Sequence, residues 1–151
     1  MNILFTNYCN QRCPYCFAAH KLDYDRADKK SYISAENLKT VIDFCKKSNN
    51  RDIGILGGEP TLHPDFAGAI KMMMREGMNF SIFSNGIIRE KKILLLLKGI
   101  DLNRCTIVIN INTEDSYAEG DYAQVKNTLK TLHEKIFLGF NIFREDFEAQ
   151  F

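Results

Sequence analysis

The chain has 151 residues, 45% hydrophobic and 26% charged, a composition that suits one compact globular domain and excludes a fibrous or generally disordered chain. Twenty lysines and arginines stand against nineteen aspartates and glutamates, so the formal net charge of +1 gives no reason to expect a nucleic-acid or anionic-lipid partner. The longest aliphatic run, residues 93–97, is far shorter than the roughly 20 apolar residues that cross a bilayer. The first residues lack the basic region of a signal peptide, and we expect a cytoplasmic protein.

Hydrophobic patterning predicts strands that alternate with helices along the chain. Strands are expected at residues 2–7, 53–56, 79–84, 106–112 and 137–143. Helices are expected after the N-cap Ser34, from Pro64 to a stop at Gly77, from Arg89 to a stop at Gly99, and within 120–135, with the start of another in 144–151. The order of elements is a repeated βα unit.

The spacing of these strands favours a parallel sheet. Strands start near residues 2, 53, 79, 105 and 137, at intervals that suit right-handed βαβ crossovers. The first interval is about twice the second, which predicts a long loop in 8–33, at the end of the sheet where parallel α/β folds place their chemistry. Five units are too few for a closed barrel of about 250 residues. We therefore predict an α/β fold, a parallel-sheet partial (β/α) barrel, as a single domain over 1–151.

Three of the five cysteines lie in this loop, where Cys9, Cys13 and Cys16 form the pattern C-x3-C-x2-C. Thiolates are the soft ligands that iron–sulfur clusters take. A cubane held by three protein ligands leaves one iron open, as a catalytic site requires, whereas a structural site closes with a fourth residue. Cys45, on a helix face, and Cys105, at a strand start, are predicted to be ordinary core residues.

Two other kinds of site fit the same loop. His20 extends the pattern to C-x3-C-x2-C-x3-H, which would suit structural zinc in a non-catalytic interaction module. The tetrad from Cys13 to Cys16, Cys-Pro-Tyr-Cys, is that of glutaredoxin-like thiol oxidoreductases. That tetrad should open a helix, but residues 17–25 have a weak apolar period, and Cys9 would be left without a role.

Two turns follow the second and third strands. Leu56 leads into Gly-Gly-Glu-Pro, in which paired glycines allow close approach of a ligand and Glu59 offers an acceptor for a cationic amine. A tight strand-to-helix turn would explain the glycines equally, and the dinucleotide fingerprint G-x-G-x-x-G is absent. The third strand ends in Ser84-Asn85-Gly86, which is typical of a simple turn as well as of a ligand contact.

Polar residues share one face of the fourth predicted strand. Asn110 and Asn112 alternate with isoleucines that face the other way. Because both faces of a parallel sheet are covered, inward polar side chains need partners, and a bound polar ligand is one source of them. A strand-end cap at Asn112 and a neighbouring partner for Asn110 would explain the same pattern, and Asn141 is a weaker case.

Together, the three-cysteine loop, Gly-Gly-Glu-Pro and Ser-Asn-Gly, each after its own strand, resemble the radical S-adenosylmethionine (radical SAM) superfamily. The resemblance runs from Asn2 to about Phe143 and implies about five βα units of a (β/α)6 barrel, a core that we expect to be incomplete at its C-terminal end. It implies that Cys9, Cys13 and Cys16 hold a four-iron, four-sulfur (4Fe-4S) cluster whose open iron chelates S-adenosylmethionine (SAM).

The family pattern also implies individual contacts with SAM. Glu59 would contact the methionine amine, and the backbone around Tyr15 would meet the adenine. Ser84 and Asn110 would lie near the carboxylate and Asn112 near the ribose. The whole turn after the second strand would belong to the cofactor site: Gly57, Gly58, Glu59 and Pro60.

The activity implied by the resemblance is reductive cleavage of SAM. One electron from the cluster would yield methionine and a 5′-deoxyadenosyl radical that abstracts hydrogen from a substrate, either a peptide or a small molecule such as a cofactor precursor. A one-electron donor such as flavodoxin or ferredoxin is implied as a partner. The protein itself would orient the sulfonium and exclude water.

Overall fold

The computed structural model describes residues 1–23 and 31–142, in which parallel strands form one sheet with the order β1-β2-β3-β4-β5. The strands are β1 (Asn2–Leu4), β2 (Asp52–Leu56), β3 (Asn79–Ser84), β4 (Cys105–Ile111) and β5 (Ile136–Phe140). The α-helices between them are α1 (Ala35–Lys47), α2 (Phe66–Arg75), α3 (Lys91–Gly99) and α4 (Asp121–Leu132). The predicted α/β fold with a parallel sheet is confirmed.

Side-chain caps set the starts of the first two helices. Ser34 Oγ accepts from the backbone N–H of Asn37 at 3.0 Å, so α1 begins where its sequence predicts. Asp65 Oδ1 accepts from the backbone N–H of Gly68 at 3.1 Å, and α2 therefore begins at Phe66. The predicted start at Pro64 was wrong by two residues because this cap lies beyond the proline.

Other predicted boundaries also shift. β1 ends at Leu4 rather than residue 7, because the next residues form isolated bridges: Thr6 with Tyr32 and Tyr8 with Asp23. Gly99 is the last residue of α3 rather than its stop signal. β5 ends at residue 140, and the rest of its predicted span beyond 142, like the helix expected in 144–151, lies outside the described residues.

The hydrophobic core lies between the helices and one face of the sheet. Ile55, Ile82 and Ile107 are fully buried there against α1, α2 and α3. Cys45 and Cys105 belong to this core, with 0% and 3% of their surfaces exposed, which confirms their predicted role. The opposite face of the sheet is free to line a cavity.

Across the described part of the chain, no helix has the length and apolarity to cross a membrane.

Candidate active site

One cavity opens at the carboxyl ends of the strands and gathers most of the residues predicted to act. The predicted residues that line it are Cys9, Cys13, Tyr15, Cys16, Gly57, Gly58, Ser84 and Asn110. Gln11, Asn85 and Asn141 line it as well. Elements more than a hundred residues apart in sequence thus contribute to a single site, as the crossover topology requires.

The three loop cysteines are free thiols that differ in burial. Cys9 is buried and only 7% exposed, while Cys13 and Cys16 are partly exposed. Burial raises the pKa of Cys9 from its ordinary 9.0 to about 12, and burial also raises the pKa of Cys13. Since a thiol must lose its proton to bind a metal, a metal bound by these thiols would displace protons, and its binding would be favoured by alkaline conditions.

The positions of these cysteines bear on the kind of metal group they could hold. Within residues 1–23 and 31–142, no three His, Cys, Asp or Glu side chains come close enough to share one metal ion. A single zinc ion requires its ligands within about 2.3 Å, whereas in a cubane each thiolate binds its own iron. His20 lies exposed on a short 3-10 helix, Ala19–Lys21.

The glutaredoxin-like interpretation of the tetrad finds no support in the local backbone. Cys13 and Cys16 are joined by a turn in which Cys16 N–H donates to the Cys13 carbonyl at 3.1 Å. The turn leads into the 3-10 helix Ala19–Lys21 instead of opening an α-helix. The loop also follows the first of five parallel strands in the order β1-β2-β3-β4-β5, a sheet that differs from that of glutaredoxin-like proteins.

Gly58 lies directly against the stem of the cysteine loop. A Cβ at this position would stand 2.1 Å from the Tyr8 carbonyl oxygen and 2.8 Å from the Cys9 nitrogen. The Gly58 N–H donates to the Thr6 carbonyl at 2.8 Å, and the Glu59 N–H donates to the Tyr8 carbonyl at 2.8 Å. The glycine is therefore required for contact between two backbones, and its own amide is used within the protein.

We expect Gly58→Ala to lower the free energy of unfolding by about 3 kcal/mol, since its methyl group must displace backbone atoms. Gly99→Ala is the matched control, because a Cβ at Gly99 would meet no atom within 4 Å. That variant should be unchanged or up to about 1 kcal/mol more stable. Urea unfolding of the metal-free protein measures both, and equal stabilities for the two variants would contradict the close contact.

Glu59 lies behind the cavity wall and is fully buried. Its Oε1 accepts from the Thr61 N–H at 3.1 Å, from the Thr61 hydroxyl at 2.7 Å and from the Ser84 hydroxyl at 2.9 Å. Its Oε2 accepts from the Asn85 N–H at 2.8 Å. Burial raises the pKa of Glu59, and these hydrogen bonds oppose that rise. The carboxylate joins the turn after β2 to the turn after β3, and its direct contact with an amine stays a prediction.

Asn85 connects the turn after β3 to the cysteine loop. Its side-chain carbonyl accepts from the Ile87 N–H at 2.9 Å, which is the ordinary contact of an asparagine turn. Its amide nitrogen donates to Asn10 Oδ1 at 2.8 Å and to Cys9 Sγ at 3.9 Å. Nothing in the sequence beyond the Ser-Asn-Gly turn indicates these contacts, because their partners lie about 75 residues away.

Asn112 forms a second polar cluster beside the cavity. Its amide nitrogen donates to the Tyr15 hydroxyl, and its backbone N–H donates to the Tyr117 hydroxyl at 3.0 Å. Its Oδ1 is buried and has no hydrogen-bond partner among the described residues. Such an atom is costly unless a donor from outside the protein satisfies it. The predicted shared face with Asn110 is only partly retained, because β4 ends at Ile111.

Asn110 points into the cavity through space left open by a glycine on the neighbouring strand. It pairs in register with Gly139, and a Cβ on that glycine would lie 2.2 Å from Asn110 Oδ1. Asn141, just beyond the end of β5, completes the same wall. Pro60, in contrast, is buried at the start of a 3-10 helix, Pro60–Leu62, and is not among the residues that line the cavity.

Comparison with known proteins relates this chain to one family. The family described as the Radical SAM superfamily matches residues 3–143. An S-adenosylmethionine-dependent nucleotide dehydratase of Selenomonas ruminantium is 36% identical over 87 residues, which cover 57% of this chain and 29% of that protein. The radical SAM cyclopropyl synthase TigE of Paramaledivibacter caminithermalis is 26% identical over 148 residues, 87% of this chain and 31% of that protein. The chain therefore spans about a third of the length of these curated relatives.

Solved structures share the fold at low identity. Streptococcus suis SuiB bound to its precursor peptide SuiA superposes with a TM-score of 0.64 and 18% identity, over 92% of this chain and 38% of that one. Archaeal TYW1 superposes with a TM-score of 0.57 and 19% identity, over 82% of this chain and 51% of that one. These similarities establish the architecture of the sheet and its helices.

Proposed function

Because the chain belongs to the radical SAM superfamily, we propose that residues 1–151 form one core domain of an enzyme that uses a 4Fe-4S cluster and SAM. The observation that carries this proposal is the convergence of three free thiols, Cys9, Cys13 and Cys16, on one cavity with the glycine turn after β2. When bound, the cluster supplies the electron that cleaves SAM and so generates a radical that abstracts hydrogen from the substrate.

The donor set in the cavity fits such a cluster. Three thiols line it, Cys45 and Cys105 are committed to the core, and His20 is exposed elsewhere. Three ligands on four irons leave one iron for the amino and carboxylate groups of SAM. The type of these ligands and their placement around one cavity favour a cluster over a closed zinc site.

The residues around the cysteines would hold SAM by ordinary polar contacts. Ser84 and Asn110 line the cavity and are proposed to lie near the carboxylate. Asn112 is proposed to lie near the ribose, since a ribose hydroxyl would supply the donor that its buried Oδ1 lacks. Tyr15, on the loop between Cys13 and Cys16, is proposed to meet the adenine through its backbone. Together these groups would orient the sulfonium and keep water from the reacting atoms.

The substrate of the whole enzyme is proposed to be a peptide or a small molecule such as a cofactor precursor. SuiB has been crystallised with a precursor peptide, which supports the first class. A GTP 3′,8-cyclase of Campylobacter jejuni, 30% identical over 73% of this chain and 34% of that protein, supports the second. A one-electron donor such as flavodoxin or ferredoxin is proposed to reduce the cluster.

The test is an anaerobic EPR spectrum of the protein after reconstitution with iron and sulfide and reduction with dithionite, recorded with and without SAM. We expect about four irons per chain and a reduced-cubane signal whose shape changes when SAM binds the open iron. A colourless protein that holds one zinc per chain would contradict the proposal. A cluster signal whose shape does not change when SAM is added would contradict the proposed SAM site.

A further inference from the structure

The Asn85 amide nitrogen donates to two acceptors on the cysteine loop. One donation goes to Asn10 Oδ1 at 2.8 Å and the other to Cys9 Sγ at 3.9 Å, within the range of hydrogen bonds to sulfur. Its backbone N–H is fixed by Glu59 and its side-chain carbonyl by the Ile87 N–H. Hydrogen bonds thus fix the backbone and the side-chain carbonyl of Asn85, and its amide nitrogen contacts the sulfur.

From this arrangement we propose that Asn85 is a positioning residue for Cys9 and that, once Cys9 binds a cluster, the N–H···S hydrogen bond raises the reduction potential of that cluster. The inference rests on the proposed function. A donor on a thiolate ligand withdraws negative charge from the sulfur, and this favours the reduced cluster, which carries one more electron.

A turn alone does not explain these contacts. The turn uses the side-chain carbonyl of Asn85, and an aspartate would serve it equally. The two donations require the amide nitrogen and reach a segment about 75 residues away. Because Cys9 is only 7% exposed, water is poorly placed to replace the lost donor, and the hydrogen bond acts in a low-dielectric setting.

The experiment compares the potentials of reconstituted clusters in the wild type, Asn85→Leu and Asn85→Asp. Each full-length protein is titrated anaerobically with dithionite and redox mediators, and EPR measures the reduced fraction. In Asn85→Leu we expect the ratio of reduced to oxidised cluster at a fixed potential to fall about tenfold, which equals about 59 mV for a one-electron couple. In Asn85→Asp this ratio should fall further, because the substitution adds a negative charge near the cluster.

Asn10→Leu is the matched control, since it removes the other acceptor of the Asn85 amide and leaves the donation to Cys9 in place. Its ratio should stay within about twofold of the wild type. An equal shift in Asn10→Leu and Asn85→Leu, or no shift in Asn85→Leu, would overturn the inference. The iron content of the wild type is measured first, so that failure of the proposed function, no cluster at all, is a distinct result.

A second measurement decides the question if the Asn85 variants load too little cluster. Wild-type protein labelled with 15N at the asparagine side-chain amides is reduced and studied by pulsed EPR. A nitrogen that donates to a cluster ligand should give a resolved hyperfine coupling, and Asn85 is the asparagine whose amide reaches Cys9. Absence of that coupling overturns the inference.

Discussion

Cys9→Ala is expected to reduce the bound iron after reconstitution from about four per chain to less than one. Cys9 is the most buried of the three cavity thiols, and no other cysteine is free to replace it, because Cys45 and Cys105 lie in the core. With only two protein thiolates, a second iron of the cubane has no protein ligand, and the cluster becomes labile. Iron and sulfide analysis, together with the visible absorbance of the cluster, measures the loss.

Two matched variants show that the loss is specific to the cavity. His20→Ala should retain full iron content, since this side chain lies exposed on its 3-10 helix. Cys105→Ala removes a thiol from the core and should also retain its iron, at a cost of about 1 kcal/mol of stability. A complete cubane in Cys9→Ala would refute the assignment of this ligand, and a loss of metal in His20→Ala would restore the zinc interpretation.

Glu59→Ala is expected to lower the free energy of unfolding of the metal-free protein by about 4 kcal/mol. The substitution leaves the buried Thr61 N–H and the partly buried Asn85 N–H without an acceptor, and the Ser84 hydroxyl loses the acceptor of its hydrogen. Each buried group that loses its partner costs about 1–3 kcal/mol. Urea unfolding under reducing conditions, without iron or SAM, measures this effect.

Glu59→Gln should cost about half as much. Its amide oxygen can accept from Thr61 and Ser84, but its amide nitrogen then faces the Asn85 N–H, another donor. The neutral side chain also avoids the cost of a buried charge, which is the cause of the raised pKa of Glu59. Glu90→Ala, which replaces an exposed glutamate paired with Lys92, should change stability by less than about 0.5 kcal/mol.

These stabilities separate two roles for Glu59. A carboxylate that serves only to bind the amine of SAM would leave the unfolding of the metal-free protein unchanged when it is removed. A carboxylate that joins two turns changes that unfolding before any cofactor is present. Unaltered stability in Glu59→Ala would therefore contradict the role that its hydrogen bonds indicate.

Local patterns in the sequence predict most of the fold. β3 begins and ends where its alternating residues predict, between Gly77, which takes a left-handed φ of 69°, and the Ser-Asn-Gly turn. Ser34 marks the start of α1 because an N-cap acts within three residues of itself. β1 is predicted too long, since residues after Leu4 pair with distant loop segments that no local pattern reveals.

The sequence predicts which residues belong to the candidate site, but it does not predict the hydrogen bonds that their side chains make. The motif positions of Cys9, Gly58 and Ser84 suffice to place them on one cavity. The sequence does not reveal that the Glu59 carboxylate is fully buried and bonded to Ser84 and Asn85, because these donors lie about 25 residues further along the chain. The role of Asn85 depends in the same way on a partner 76 residues away.

The long separation between Asn85 and Cys9 bears on how the protein matures in the cell. The three cysteines leave the ribosome before the turn after β3, and residues of that turn form part of the wall that faces Cys9. Contacts this distant in sequence form late in folding, after the intervening loop has closed. Under the proposed function, iron and sulfide would therefore be delivered to a chain that has already assembled β1 to β3, and cells short of iron would hold the protein folded without its cluster.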